Sequence, residues 1–227
     1  MRRRPWEEKV MNIISKILVV GTMLGLTALS AKAETVTLES PLRGGTVTSG
    51  DKLFSGFTYA GTGRVPTAAL INITPITLDG NFGIQVQGGF SAFNGETNDV
   101  LITYTVTVTD PTKAISDAHI SSNAAVLQGE VGAVAITDSF TEFAETINSF
   151  TAVPGTTKLT DSIVFDHTVT VLHASKDILL TAAPGALVVL SAINQTYSQV
   201  TVEIPSPAAL PVGLVGLGGL ALLRRRK

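Results

Sequence analysis

Val100-Leu101-Ile102-Thr103-Tyr104-Thr105-Val106-Thr107-Val108-Thr109 alternates along its whole length. Val100, Ile102, Tyr104, Val106 and Val108 share one parity, and Thr103, Thr105, Thr107 and Thr109 share the other. A period of two is that of an extended chain with one face in a core and one in water. Asp110-Pro111 closes the run, because proline has no N–H for a β-ladder.

Working outward, Thr35–Leu38, Lys52–Tyr59, Ala68–Thr74 and Phe82–Val86 read as earlier strands. Gly44-Gly45, Gly61-Thr62-Gly63, Asp79-Gly80 and Gly88-Gly89 punctuate them. Later strands are expected at Ala114–Ile120, Gly132–Thr137, Ser162–His173, Asp177–Thr181, Ala186–Ile193 and Tyr197–Ile204. Between them, Ser139 and Glu142 have capping-box spacing, and Phe140, Phe143, Ala144 and Ile147 fit a helical stripe. Two short strands around a turn are the alternative, favoured by the β-rich flanks. Closely spaced strands and turn signals predict an all-β domain, an antiparallel two-sheet β-sandwich, over residues 34–204. No repeat divides that range.

The composition agrees. The 227 residues include 29 Thr and 21 Gly, and charged residues make up only 15%. Such a chain is no disordered polyelectrolyte. The absence of cysteine excludes a disulfide scaffold, a thiolate zinc site and a cysteine nucleophile. Charge is segregated: from Glu34 to Ile204 six basic residues face sixteen acidic ones, a formal charge of −10. That surface repels phosphate backbones, so nucleic acid is not an expected partner.

The two ends have another logic. Basic residues precede an apolar stretch from Ile13 to Leu29, and Ala31-Lys32-Ala33 follows it. This is the pattern of a signal peptide, residues 1–33, cut by signal peptidase between Ala33 and Glu34. Met1 and Met11 are both possible starts. Trp6, the chain's one tryptophan, would be lost on maturation. At the other end, Pro205-Ser206-Pro207 precedes an uncharged stretch from Ala208 to Leu223, and Arg224-Arg225-Arg226-Lys227 follows. A helix from Leu210 to Leu223 would be about 21 Å long, short against a hydrocarbon core of about 30 Å. The basic cluster would keep its end cytoplasmic.

Residues 205–227 resemble a PEP-CTERM sorting signal: a proline-containing motif, a glycine- and leucine-rich apolar helix and an arginine cluster. The usual middle glutamate is Ser206 here. Lys158–Ser162, Ser175-Lys176-Asp177-Ile178 and Ile193–Gln199, with Val47–Tyr59, are similar to segments of secreted β-rich proteins bearing that signal. The resemblance implies processing by an exosortase-like membrane enzyme and at least transient anchoring in the inner membrane. It further implies a final place at the cell surface or in the extracellular matrix, with extracellular polysaccharide as a possible partner. The expected role is structural or adhesive, with carbohydrate binding as the alternative and a secreted hydrolase as a third class.

Motifs for chemistry are sparse. His167 and His173 share a parity, but six residues of one extended strand would separate them by about 20 Å. His119 has no evident partner, and no Gly-x-Ser-x-Gly elbow, phosphate loop or dinucleotide fingerprint occurs. Asp138 with Glu142 and Glu145, and Asp161 with Asp166, are the local carboxylate clusters; solvated turns and strand ends explain them. Oxygen ligands would suit calcium, but no EF-hand pattern assigns them. Phe54, Phe57 and Tyr59 are expected to fill the core rather than stack on sugars. The expectation is therefore a chain without a catalytic site or cofactor.

Overall fold

The opening alternation becomes most of a long strand, through to its end, in the structure, a computed structural model that describes residues 34–203. Segments 1–33 and 204–227, with the helix of the expected signal peptide and that of the expected sorting signal, lie outside the described residues. The strands are β1 (Val36–Thr37), β2 (Val47–Ser49), β3 (Lys52–Thr62), β4 (Asn72–Leu78), β5 (Asn81–Phe93), β6 (Thr97–Val108), β7 (Lys113–Ser122) and β8 (Ala125–Gln128). They continue as β9 (Gly132–Phe140), β10 (Thr146–Val153), β11 (Thr157–Lys158), β12 (Thr160–Val169), β13 (Val171–Ala182), β14 (Leu187–Tyr197) and β15 (Gln199–Thr201). The four-residue helix α1 (Glu39–Leu42) and a 3₁₀ turn at Ala68–Leu70 complete the elements.

Two antiparallel sheets result. One follows the order β1-β4-β5-β14-β7-β12, with β15 beside β7 and β8 beside β14; the other runs β11-β10-β9-β13-β6-β3-β2. The core lies between them. On β6 the inward Val100, Ile102, Tyr104 and Val106 are buried, as the alternation requires. From the eight-stranded sheet Ile73, Ile84, Val86, Ile120, Ile193 and Tyr197 meet them. Side chains also bond across the gap: the hydroxyls of Tyr104 and Tyr197 are 2.9 Å apart. Those of Ser122 and Ser149 are 2.6 Å apart.

Several expectations change in detail. β5 runs through Gly88-Gly89, because Phe90 pairs Leu190 while Gln87 pairs Ala192. Two glycines therefore oppose Ser191, a β-bulge rather than a turn. Ala68–Leu70 is a 3₁₀ turn and not the start of a strand, since alanine has little β preference. The single strand expected at Ser162–His173 is two. The chain leaves β12 in one sheet, turns at Thr170 and enters β13 in the other. The segment with two possible readings is a hairpin of β9 and β10. Its helical stripe has a different origin: Phe140 and Ile147 are inward on the strands, and Phe143 folds back from the turn to stack on Phe165 at 4.0 Å.

Phe54 and Phe57 illustrate how a bulge sets a face. Ser55 pairs Thr105 and Thr58 pairs Thr103, so Gly56 and Phe57 together oppose Tyr104. Gly56 has φ +63°, a conformation glycine adopts without steric cost. The extra residue shifts the parity, so Phe54 and Phe57, three apart, are both buried. Phe57 stacks on Tyr104 at 5.3 Å. Tyr59 packs at the margin of the core and donates to the carbonyl of Pro66.

Candidate functional site

The outward face of the eight-stranded sheet is polar where β5, β14, β7 and β12 adjoin. Register sets the rows: Gln85, Asn194 and Ser121 lie side by side, as do Thr196 and His119, with Thr160 and Ser162 beyond them on β12. Alternation explains the composition, since each of these residues neighbours an inward apolar or core residue such as Ile84, Ile193 or Ile120. Gln85 Nε2 donates to Asn194 Oδ1 at 2.7 Å, and Asn194 Nδ2 donates to Ser121 Oγ at 3.0 Å. The β4–β5 hairpin, with Leu78, Asp79 and Asn81, walls one side, and Thr160 to Ser162 wall the other. The groove between them has a volume of about 460 Å³. Amides, hydroxyls, two carboxylates, one imidazole and the aliphatic side chains of Leu78 and Ile120 line it, with no Phe, Tyr or Trp.

Two of its three ionisable groups, Asp161 and His119, are engaged in internal bonds. Asp161 accepts from the backbone N–H of Asn148 at 2.9 Å and lies 2.7 Å from Lys158 Nζ. Partial burial pushes its carboxyl up, but Lys158 and the N–H groups of Asn148 and Ser162 outweigh this and leave it below the usual range. His119 Nε2 is 3.1 Å from Ser198 Oγ and 3.1 Å from Asp117 Oδ1. A serine, a histidine and an aspartate thus meet, but on one ring nitrogen. A relay needs the carboxylate on one nitrogen and the hydroxyl on the other. Asp117 also accepts from the Ser198 N–H at 2.8 Å, which fixes the start of β15.

The other sequence candidates separate. Asp138 is not at a solvated strand end; it is 1% exposed in the core, against Lys176. Glu142 instead caps the outside of β13, accepting from the His173 N–H at 3.0 Å and from its ring. Burial raises the Glu142 carboxyl, and the bonds from His173 more than reverse that. Asp161 and Asp166 diverge: the first joins the groove, the second is exposed beside His167. The two-strand course of residues 160–182 brings both histidines to the β9–β10 turn, His167 against the Phe143 ring at 4.8 Å and His173 on Glu142. Among the described residues no group of three or more His, Asp or Glu is placed to hold a metal ion. Glu34 is exposed at the first described position; Ala31, Ala33, Pro205, Ser206, Pro207, Arg224, Arg225 and Arg226 lie outside.

Sequence reading missed the groove and a polar cluster in the core formed by Lys176, Asp138 and Gln195. Parity could have found the second, since Lys176 alternates in step with Ala174, Ile178 and Leu180.

No family model matches the chain, and no curated protein matches it. Among solved structures, similarity is found to TmCBM61 in complex with β-1,4-galactotriose, at 8% identity over 63% of this chain and 90% of that one, with a TM-score of 0.34. The enzymatically active domain of bacteriophage CBA120 tailspike protein 4 matches at 14% identity over 63% of this chain and 20% of that one, TM-score 0.29. The family 11 carbohydrate-binding module of the cellulosomal cellulase Lic26A-Cel5E of Clostridium thermocellum matches at 9% identity, over 66% and 90%, TM-score 0.25. These low scores carry no argument about function.

Proposed function

We propose that this chain is an exported bacterial surface protein whose sandwich holds a neutral saccharide in the polar groove, without turning it over. The observation that supports binding is the groove's lining of side-chain amides and hydroxyls on a rigid sheet face. Such groups can exchange hydrogen bonds with sugar hydroxyls. Its volume falls within the range of small-ligand sites. Asp79, Asp161 and the acidic surface around them disfavour an anionic glycan. Catalysis is disfavoured by the geometry at His119 and by the bonds that occupy Asp161. Export and sorting rest on the terminal segments: signal peptidase would release Glu34, and an exosortase-like enzyme would act near Pro205-Ser206-Pro207.

Without an aromatic platform the affinity rests on hydrogen bonds with a net value of about 0.5–1.5 kcal/mol each. Dissociation constants of about 0.1–1 mM follow. A glycan array followed by calorimetric titration of the mature protein tests the reading. Ser121→Trp fills the groove from its outward face and should weaken binding at least tenfold while leaving the melting temperature nearly unchanged. Failure of every neutral glycan at millimolar concentration, or full affinity in the filled variant, would refute it.

A further inference from the structure

The centre of the sandwich contains three polar side chains that an apolar core has no need of. Lys176 is inward on β13, 0% exposed, and donates to both oxygens of Asp138 on β9 at 2.6 and 2.7 Å. The same Nζ donates at 3.0 Å to Oε1 of Gln195, which reaches across from β14 of the other sheet. Gln195 is itself 0% exposed, and its Nε2 has no hydrogen-bond partner. An orphaned buried amide N–H₂ calls for a physical explanation. As a device for stability the cluster is poor, since a buried ion pair rarely repays its desolvation. Its parts are, however, those of an acyl transfer: an amine, a carboxylic acid–base and an amide whose nitrogen nothing holds.

We propose that Lys176 and Gln195 join in an intramolecular amide bond, with Asp138 as the proton carrier and ammonia as the product. Asp138 takes a proton from the ammonium, and the neutral Nζ attacks Cδ of Gln195. Asp138 returns that proton to Nε2 and takes a second one from Nζ, the Cδ–Nε2 bond breaks, and ammonia departs, leaving a neutral amide and a protonated Asp138. One C–N bond forms and one breaks, with no redox change and no further reagent. Burial favours the first step. It lowers the Lys176 ammonium and raises the Asp138 carboxyl, each opposed by the partner's charge, so the neutral pair is brought within reach. The bond would tie β13 of one sheet to β14 of the other through the core and restrict the unfolded chain.

A second lysine sharpens the assignment. Lys52 Nζ donates to Gln199 Oε1 at 2.7 Å and to Asp51 Oδ1 at 3.2 Å. There Asp51 keeps 18% of its side-chain exposure and Gln199 is only half-buried, so water competes for both. The inference is therefore confined to Lys176.

Intact mass spectrometry of the purified mature protein tests this, with a tryptic digest. The expected result is a mass below that of the sequence by one molecule of ammonia, together with loss of tryptic cleavage after Lys176. Fragmentation should place the link between Lys176 and Gln195. Gln195→Met removes the electrophile, leaves the ion pair, and should restore both the sequence mass and the cleavage. Asp138→Asn should leave the chain unlinked. The full sequence mass in the parent would overturn the proposal. So would loss of one water with a Lys176–Asp138 link, or the ammonia loss persisting in Gln195→Met.

Discussion

Removing one hydroxyl from the Tyr104–Tyr197 pair should cost more than removing both. The two rings enter the core from opposite sheets, Tyr104 at 2% exposure and Tyr197 at 0%, and their hydroxyls bond at 2.9 Å. Tyr→Phe leaves the ring contacts in place, including those of Phe54 with Tyr104 at 6.0 Å and with Tyr197 at 6.2 Å. What changes is hydrogen bonding alone. In either single variant the surviving hydroxyl is buried without its partner, at a cost of about 1–3 kcal/mol. In the double variant no polar group is stranded, so the loss should fall to about zero. The two single costs therefore should not add, with a coupling of about 2–6 kcal/mol, the sum of the two. For a domain of this size each kcal/mol is worth about 2–4 °C in melting temperature. Calorimetry should then place both single variants about 2–12 °C below the parent, with the double variant near the parent. A double variant that loses the sum of the singles would refute the argument, and would mean that each hydroxyl has a separate partner.

Asp161→Asn should alter the acid limb of stability. The folded carboxyl is held below its ordinary 3.8, so its contribution is present above that value and lost as the pH falls through the lower, folded one. The parent's melting temperature should drop over that interval more steeply than the variant's, and parallel curves would count against the Lys158 and Asn148 contacts as the cause. N-terminal sequencing of secreted material should begin at Glu34; a start before Ala31 would refute cleavage by signal peptidase at Ala33. Deleting Arg224–Lys227 should trap or mislocalise the protein while the melting temperature of the sandwich stays constant. An unchanged location and mature mass would remove the sorting role.

The sandwich was legible because alternation is a local property with a global consequence. Ten residues from Val100 to Thr109 show which side of a strand faces a core, and the strand and turn signals around them point to a second sheet as its cover. Boundaries were less legible because they depend on neighbours. Gly88-Gly89 looks like a turn in isolation, and becomes a bulge only because Leu190 and Ala192 fix the pairing on either side. The break at Thr170 is hidden for the opposite reason: the residues flanking it all favour strands, and only the sheet assignment changes.

The candidate sites were obscured by charge as well as distance. The groove draws on β4, β5, β7, β12 and β14, so no local motif could announce it. The core trio is a different case. Ala174, Lys176, Ile178, Leu180 and Ala182 alternate as cleanly as the strand on β6, and parity alone places Lys176 inside. The rule that lysine belongs in water argues against parity, and the conflict disappears once Asp138 is found opposite in the register. On β9, Val134, Ile136, Asp138 and Phe140 carry the matching exception. Two strands that each break their own apolar face at paired positions, with opposite charges, predict a buried contact. Gln195 on β14, inward between Ile193 and Tyr197, is a third break from the facing sheet. A solvated face would not bring a lysine, an aspartate and a glutamine to one point inside the core, and that coincidence is what makes their chemistry worth measuring.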